Sequence, residues 1–126
     1  MSFESITAKD APAPIGPYSH AVRAGDFVFC SGQTPIVPST GALVDGDISA
    51  QAAQALANVG AVLRAAGLDY NNVVKTTIFL VDMNDFAAVN AVYERAFGAS
   101  KPARSTVAVA ALPRGARVEI EALALG

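Results

Sequence analysis

The chain has 126 residues, of which 52% are hydrophobic and 16% charged, and its formal net charge is −2. This length suits one domain over residues 1–126, whose core needs neither a disulfide nor a metal. The acidic balance and the scattered Lys and Arg residues exclude a surface built for nucleic acid or anionic lipid. One His and one Cys are too few for the usual zinc ligand sets, so we expect no metal.

The first third of the chain predicts three strands joined by turns. They are expected at three mainly apolar stretches: 3–8, 20–24 and 27–31. Gly25 and Asp26, between the last two stretches, are typical of a hairpin turn. The segment 11–17 is rich in Pro and Gly and predicts a shaped loop. Cys30 stands mid-strand among Phe residues, which favours a buried core thiol over a nucleophile.

Two later stretches have helical periodicity. Between 49 and 66 apolar residues recur every three or four positions; Asp47 or Ser49 is placed to cap the start and Gly67 to end the helix. A second helix is expected over 82–97, with its aromatic residues on one apolar face. Three further strands are predicted at β-branched or alternating stretches: 73–81, 104–110 and 116–125.

The resulting order, βββαβαββ, predicts an α+β fold with a mixed sheet and two helices on one face. The other face of the sheet then lacks helical cover. A mean hydropathy of +0.38 is high for so short a chain, and it favours partner subunits on that uncovered face.

No segment is typical of secretion or membrane insertion. The first ten residues lack a basic stretch followed by an apolar core. The longest charge-free helical stretch, 48–63, is interrupted by Gln51, Gln54 and Asn58, so it is no membrane span. A lone cysteine is typical of a reducing compartment. We therefore expect a cytoplasmic protein with no membrane partner.

Two charged residues in apolar strands are the main candidates for chemistry. Arg104 opens one strand, and its planar fork could clamp a substrate carboxylate; the alternative is a surface residue or a pair with Glu119 or Glu121. Glu119 lies beside apolar neighbours, which could raise its pKa and suit it to acid–base catalysis. The alternative for Glu119 is a solvated strand face, and residue type alone favours the structural alternatives.

Four weaker candidates lie at turns, a strand end and a helix. Tyr18 follows the Pro- and Gly-rich loop, and Ser31 and Gly32 end a strand where backbone could approach a ligand. Asn90, in the second helix, is either exposed or turned toward a pocket. No nucleophile elbow and no Gly-rich phosphate loop is present.

In family order, the sequence blocks of this chain resemble the RidA, or YjgF-type, imine deaminases. The matching blocks are IGPYSHA (15–21), SGQTP (31–35), AQALANVGAVLRAAGL (53–68), VVKTTIFLVDMNDFAAVNAVYERAF (73–97), PARSTVAVAALP (102–113) and VEIEALA (118–124). Together they cover nearly the whole chain.

The resemblance implies a chorismate-mutase-like fold in a homotrimer with sites in clefts between subunits. It implies hydrolysis of reactive 2-imino or enamine acids to 2-keto acids and ammonia, with no cofactor. Arg104 matches the carboxylate-binding Arg, and Glu119 the residue that handles the water or imine proton. Cleft-lining positions are matched by Tyr18, Ser31, Gly32, Asn90 and Thr106.

Three departures and three alternatives accompany this resemblance. Thr106 stands where many members have Cys, which excludes thiol chemistry there; His20 replaces a common Gln, and Lys101 an aromatic residue.

The function could instead be that of a non-catalytic small-ligand-binding or chaperone-like trimer, or of a pathway-specific enamine or aminoacrylate deaminase. An endoribonuclease is disfavoured by the acidic charge balance.

Overall fold

The computed structural model describes residues 2–126 and contains one six-stranded sheet with two helices. The strands are β1 (Glu4–Ile6), β2 (Ala21–Ala24), β3 (Phe27–Gln33), β4 (Val73–Leu80), β5 (Ala103–Ala108) and β6 (Val118–Leu125). The helices are α1 (Ile48–Ala65), which precedes β4, and α2 (Phe86–Phe97), which links β4 to β5. The predicted α+β class and the order βββαβαββ are confirmed.

The last strand of the chain lies in the middle of the sheet. The spatial order is β1-β2-β3-β6-β4-β5, and only β4 and β5 run parallel. Strand β6 therefore pairs antiparallel with β3 on one side and with β4 on the other. The sheet is mixed, as predicted, and the strand that carries Glu119 is central.

Element boundaries differ from the prediction where polar residues start turns. Helix α2 begins at Phe86 rather than Asp82, because the Asp82 carboxylate accepts from the Asn84 N–H at 2.9 Å and caps a short 3₁₀ turn. Strand β6 begins at Val118 rather than Ala116, since a turn over 113–115 precedes it. At α1, Asp47 is the cap and accepts from the Ala50 N–H at 3.0 Å.

The two faces of the sheet are unequally covered. Alternate residues of β6 are buried under the helices: Val118, Ile120, Ala122 and Ala124. Cys30 belongs to this core, as predicted, and burial raises the pKa of its thiol to about 11. On the opposite face Phe29 is 50% exposed and Leu125 46%. The predicted uncovered apolar face is thus present within the chain.

His20 anchors the Pro-rich loop to the sheet. The Ala8 N–H donates to Nδ1 of this buried ring at 2.9 Å, and Nε2 lies 2.8 Å from the Pro12 carbonyl oxygen. Because a carbonyl only accepts, the ring proton is on Nε2. A glutamine amide offers the same pair, an accepting oxygen and a donating nitrogen. The two hydrogen bonds of His20 are therefore ones that the Gln common at this position could also make.

We predict that His20→Ala lowers the free energy of unfolding by about 1–3 kcal/mol, because it leaves a buried N–H and a carbonyl unpaired. His20→Gln should lose much less, since its amide can restore both bonds. Urea unfolding of the three proteins measures the difference. Equal losses for the Ala and Gln variants would contradict the anchoring role.

Candidate functional site

One group of candidate residues surrounds a cavity of about 360 Å³ on the uncovered face of the sheet. Tyr18 from the Pro-rich loop, Gly32 from β3 and Glu119 from β6 line it, together with Arg114 from the turn before β6. The loop is tied to β3 because the Ser31 hydroxyl donates to the Ser19 carbonyl at 2.7 Å. Ser31 therefore positions the loop that carries Tyr18.

Gly32 leaves the space that the Glu119 side chain occupies. The pairing of β3 with β6 shifts register between Cys30 and Gln33, so a bulge lies at this point. A Cβ built on Gly32 would overlap the Glu119 carboxylate and come within 2.9 Å of its Cδ. Close approach of a ligand to the Gly32 backbone stays a prediction; within the chain, the missing side chain admits the Glu119 carboxylate over the strand.

The environment of Glu119 favours its neutral form. Burial raises the pKa of this half-buried carboxyl, and the neighbouring Glu121 raises it further. Within residues 2–126, no Lys or Arg nitrogen lies within 4.0 Å of the Glu119 carboxylate to offset this. A raised pKa makes the protonated form of this carboxyl easier to reach than that of an exposed Glu.

Arg104 belongs to a second group, held by α2. Its Nη1 donates to the Asn90 side-chain oxygen at 2.8 Å. Its guanidinium carbon lies 4.9 Å from the ring centroid of Tyr93 and 5.6 Å from that of Phe86. Positions 86, 90 and 93 share one face of a helix, so three side chains fix one cation. Phe86, expected in the apolar core face, is 39% exposed and packs on Arg104 instead.

The two groups lie on opposite faces of the sheet. Arg104 pairs in register with Thr76, whose side chain points to the helices. Glu119 pairs with Phe79, which lies three residues after Thr76 on β4. Because side chains alternate along a strand, Phe79 and Glu119 point away from the helices. The ion pair that we considered between Arg104 and Glu119 or Glu121 is therefore absent. One chain brings together Arg104, Asn90 and Thr106, and separately Tyr18, Gly32 and Glu119.

Thr106 follows Arg104 on the helix side and has an unsatisfied hydroxyl. Its Oγ1 is buried and has no hydrogen-bond partner within residues 2–126. The surrounding crevice is lined mainly by apolar residues: Ile78, Leu80, Phe86 and Val89. An unpaired, buried hydroxyl lowers the free energy of unfolding by about 1–3 kcal/mol unless a partner bonds to it. The crevice leaves no room for a water molecule, so a ligand would reach this hydroxyl only after the side chains around it move.

Two site features escaped the sequence analysis. The aromatic clamp on Arg104 could have been found from the spacing of Phe86, Asn90 and Tyr93. Arg114 precedes Gly115 in a turn-forming stretch, a signal that we did not use.

Comparison with known proteins places the chain in a family. The model of the family described as Endoribonuclease L-PSP matches residues 8–125. The chain belongs to this YjgF/RidA family. It is 55% identical to a mouse protein named 2-iminobutanoate/2-iminopropanoate deaminase, over 95% of this chain and 89% of that one.

Solved relatives have the same fold. The Escherichia coli YjgF gene product is 49% identical, with a TM-score of 0.92 over 97% of this chain and 98% of that chain. Escherichia coli TdcF, whose structure holds bound serine, is 43% identical with a TM-score of 0.93 over 98% of each chain.

The described residues also bear on metals and membranes. Within 2–126, no three His, Cys, Asp or Glu side chains are grouped so as to hold a metal ion. Neither helix in that range is long and apolar enough to cross a bilayer.

We predict that Gly32→Ala lowers the free energy of unfolding by about 1–3 kcal/mol, because the new Cβ must displace the Glu119 carboxylate. In a Glu119→Ala background the same change should cost far less, which a double-mutant cycle in urea measures. Gly16→Ala is the control, since its Cβ would only touch the Tyr18 ring at 3.4 Å. Equal losses of Gly32→Ala in both backgrounds would refute the steric account.

We predict that Glu119→Gln stabilises the protein at about pH 7. The raised folded-state pKa means that the folded chain binds protons more tightly than the unfolded one. The stability from this carboxyl is full below its unfolded pKa, near 4.5, and is lost as the pH rises through the folded value. The gain should therefore vanish near pH 4.

Thermal unfolding from about pH 4 to pH 7 measures this gain. Glu121→Gln should give a smaller gain, because it removes only the lesser cause. A Glu119→Gln gain that is constant across the range would contradict the linkage.

Proposed function

We propose that this protein hydrolyses reactive 2-imino acids to 2-keto acids and ammonia, at a site that two subunits form together. The observation that carries the proposal is the separation of Arg104 and Glu119 onto opposite faces of one sheet. Each residue has its own supporting group. The side chains that hold Arg104 include no carboxyl, and the cation of the Glu119 cavity, Arg114, lies in a strained turn rather than between aromatic rings. A neighbouring copy docked on the uncovered face would supply the missing half.

The uncovered face supports an assembly of identical chains. Phe27, Phe29, Val107 and Leu125 expose between 41% and 50% of their surface, on strands that form one continuous sheet. Phe27, Phe29 and Leu125 are neighbours on the paired strands β3 and β6, and adjacent exposed apolar residues of this size are typical of subunit interfaces. A homotrimer, as the family resemblance implies, would cover this face and create clefts along the subunit boundaries.

Arg104 is suited to hold the substrate carboxylate. The rings of Phe86 and Tyr93 and the Asn90 oxygen restrict its guanidinium, so little side-chain entropy remains to be lost on binding. Only one of its five N–H donors goes to Asn90. The others are available for a bidentate bond, and the buried Thr106 hydroxyl lies on the same side of the sheet.

Glu119 is suited to move the proton. The carboxylate removes a proton from water as the water oxygen attacks the imine carbon, and the C=N electron pair goes to nitrogen. The carboxylic acid returns this proton to nitrogen, which gives a carbinolamine. The carboxylate then takes the hydroxyl proton and passes it to the amino group; the C–N bond breaks as the C=O bond forms, and ammonia leaves a 2-keto acid. The raised pKa makes the acid form of Glu119 easier to reach than that of an exposed Glu, and the proposed reaction uses these residues and water alone.

A second candidate function is ligand binding without turnover. It is favoured by TdcF, a relative whose structure holds bound serine. A carboxylate clamp of the Arg104 type would serve a stable amino acid as well as an imine. Keto-acid release from an imine distinguishes the two functions.

The proposed site predicts complementation between two inactive variants. Arg104→Ala and Glu119→Gln should each lose nearly all keto-acid release above spontaneous hydrolysis, measured on imines made by an amino-acid oxidase. When equal amounts are unfolded and refolded together, about a quarter of the sites receive Arg104 from one chain and Glu119 from another. Activity should therefore return to about a quarter of the wild-type value.

Two controls make this result specific. Co-refolding Arg104→Ala with Arg104→Gln should restore nothing, because every site then lacks the cation. Sedimentation of the mixture establishes whether the chains assemble. A mixture that assembles yet stays inactive would refute the shared site, and a wild-type protein that releases no keto acid would leave binding as the function.

A further inference from the structure

Arg114 has a backbone conformation that arginine seldom adopts. Its φ is 59° and its ψ 24°, and Gly115 after it also has a positive φ of 75°. The Ala116 N–H donates to the Pro113 carbonyl at 3.2 Å, which closes a turn of type I′ around these two residues. Asn, Asp and Gly are the residues that favour the first central position, so an arginine there is strained.

The strained residues of this chain lie at the two halves of the candidate site. Of residues 2–126, only Lys101 and Arg114 are non-glycine residues with positive φ. Lys101 lines a groove beside Arg104, and Arg114 lines the cavity of Glu119. Both are cations. A cationic residue that stays in a strained conformation, where Asn or Gly would fit the turn better, indicates a function for its side chain.

The cavity is larger than the smallest imino acids require. Its volume of about 360 Å³ equals that of roughly a dozen water molecules at about 30 Å³ each. The imine of alanine has only a methyl side chain, which would reach few of the walls that this chain contributes. The walls beyond Glu119 are largely apolar, formed by Pro12, Ile15, Ile36 and Pro38 among others. Such walls fit the methylene groups of a longer side chain.

Arg114 is the only formally positive residue among the described residues that line this cavity, and Glu119 is the only formally negative one. Within residues 2–126, no carboxylate oxygen lies within 4.0 Å of an Arg114 nitrogen. Within one chain, the Arg114 guanidinium is therefore not paired with a carboxylate and can meet an anionic group on a ligand.

We propose that Arg114 binds a second carboxylate, at the far end of the substrate side chain, so that the site prefers 2-imino dicarboxylic acids such as the imine of glutamate. This inference rests on the proposed function, since it assigns the α-carboxylate to Arg104 and the side chain to the Glu119 cavity. The two arginines then hold the two ends of one substrate, with the imine carbon near Glu119. Arg114 is a specificity residue and takes no part in proton transfer.

The test compares Arg114→Asn with the wild type on two imines, one made from glutamate and one from alanine by the matching oxidases. Asn removes the charge and suits a type I′ turn, so the melting temperature should stay the same or rise. The ratio of kcat/KM for the glutamate imine to that for the alanine imine should fall about tenfold, the loss of one charged hydrogen bond. Added salt should lower this ratio in the wild type and leave it nearly unchanged in the variant.

Two matched variants distinguish the effect of a cation at position 114 from the effect of removing a positive charge elsewhere on the chain. Arg114→Lys should keep most of the selectivity ratio, because the charge remains at the rim. Arg95→Gln removes an exposed arginine at the far end of α2, which lines neither half of the site, and should leave the ratio at its wild-type value. A ratio in Arg114→Asn within twofold of the wild type would overturn the proposal.

A binding measurement keeps this test independent of turnover. Calorimetry with 2-oxoglutarate and with pyruvate, the two products, should show tighter binding of 2-oxoglutarate by the wild type and a loss of that preference in Arg114→Asn. No preference in the wild type would overturn the role of Arg114. Failure to hydrolyse either imine, with the binding preference intact, would instead overturn the proposed hydrolysis.

Discussion

The pleat of the central strand β6 organises the rest of the molecule. Successive side chains of a strand point to opposite faces, so one strand carries both the centre of the core and the edge of the cavity. Val118 and Ile120 are buried under the helices, and Glu119 between them has no alternative but to face away from them. A shift of one residue in register would bury the carboxylate and expose the core residues. The apolar packing under the helices thereby fixes where the acid stands.

Much of the fold followed from local patterns. Helical periodicity located both helices, and β-branched or alternating stretches located six strands, because these signals are carried by neighbouring residues. The start of α2 was misplaced because Asp82 satisfies its hydrogen bonding with a short turn, which competes with helix formation over the same residues. Periodicity alone cannot decide such a competition.

The relation between the candidate residues could not be derived from local patterns. Whether Arg104 and Glu119 share a face depends on how β6 pairs with β4 and how β4 pairs with β5. These contacts join distant segments, and no single segment encodes their register. The packing of Glu119 against Gly32 is of the same kind, since the two residues are far apart in the chain. The residues that hold Arg104, by contrast, are spaced so that they share one face of α2, and this spacing could have been recognised in the sequence.

The central place of β6 also has a consequence for how the chain folds during synthesis. Strands β1, β2 and β3 pair among themselves, and β4 pairs with β5, yet no strand pairing joins these two sets without β6. Strand β6 is made after all of them. Until β6 docks, no strand pairing connects β1–β3 with the β4–β5 pair, and each of these pieces leaves an edge open. Open edges pair readily with other chains, so this protein is most exposed to misassembly while β6 is undocked.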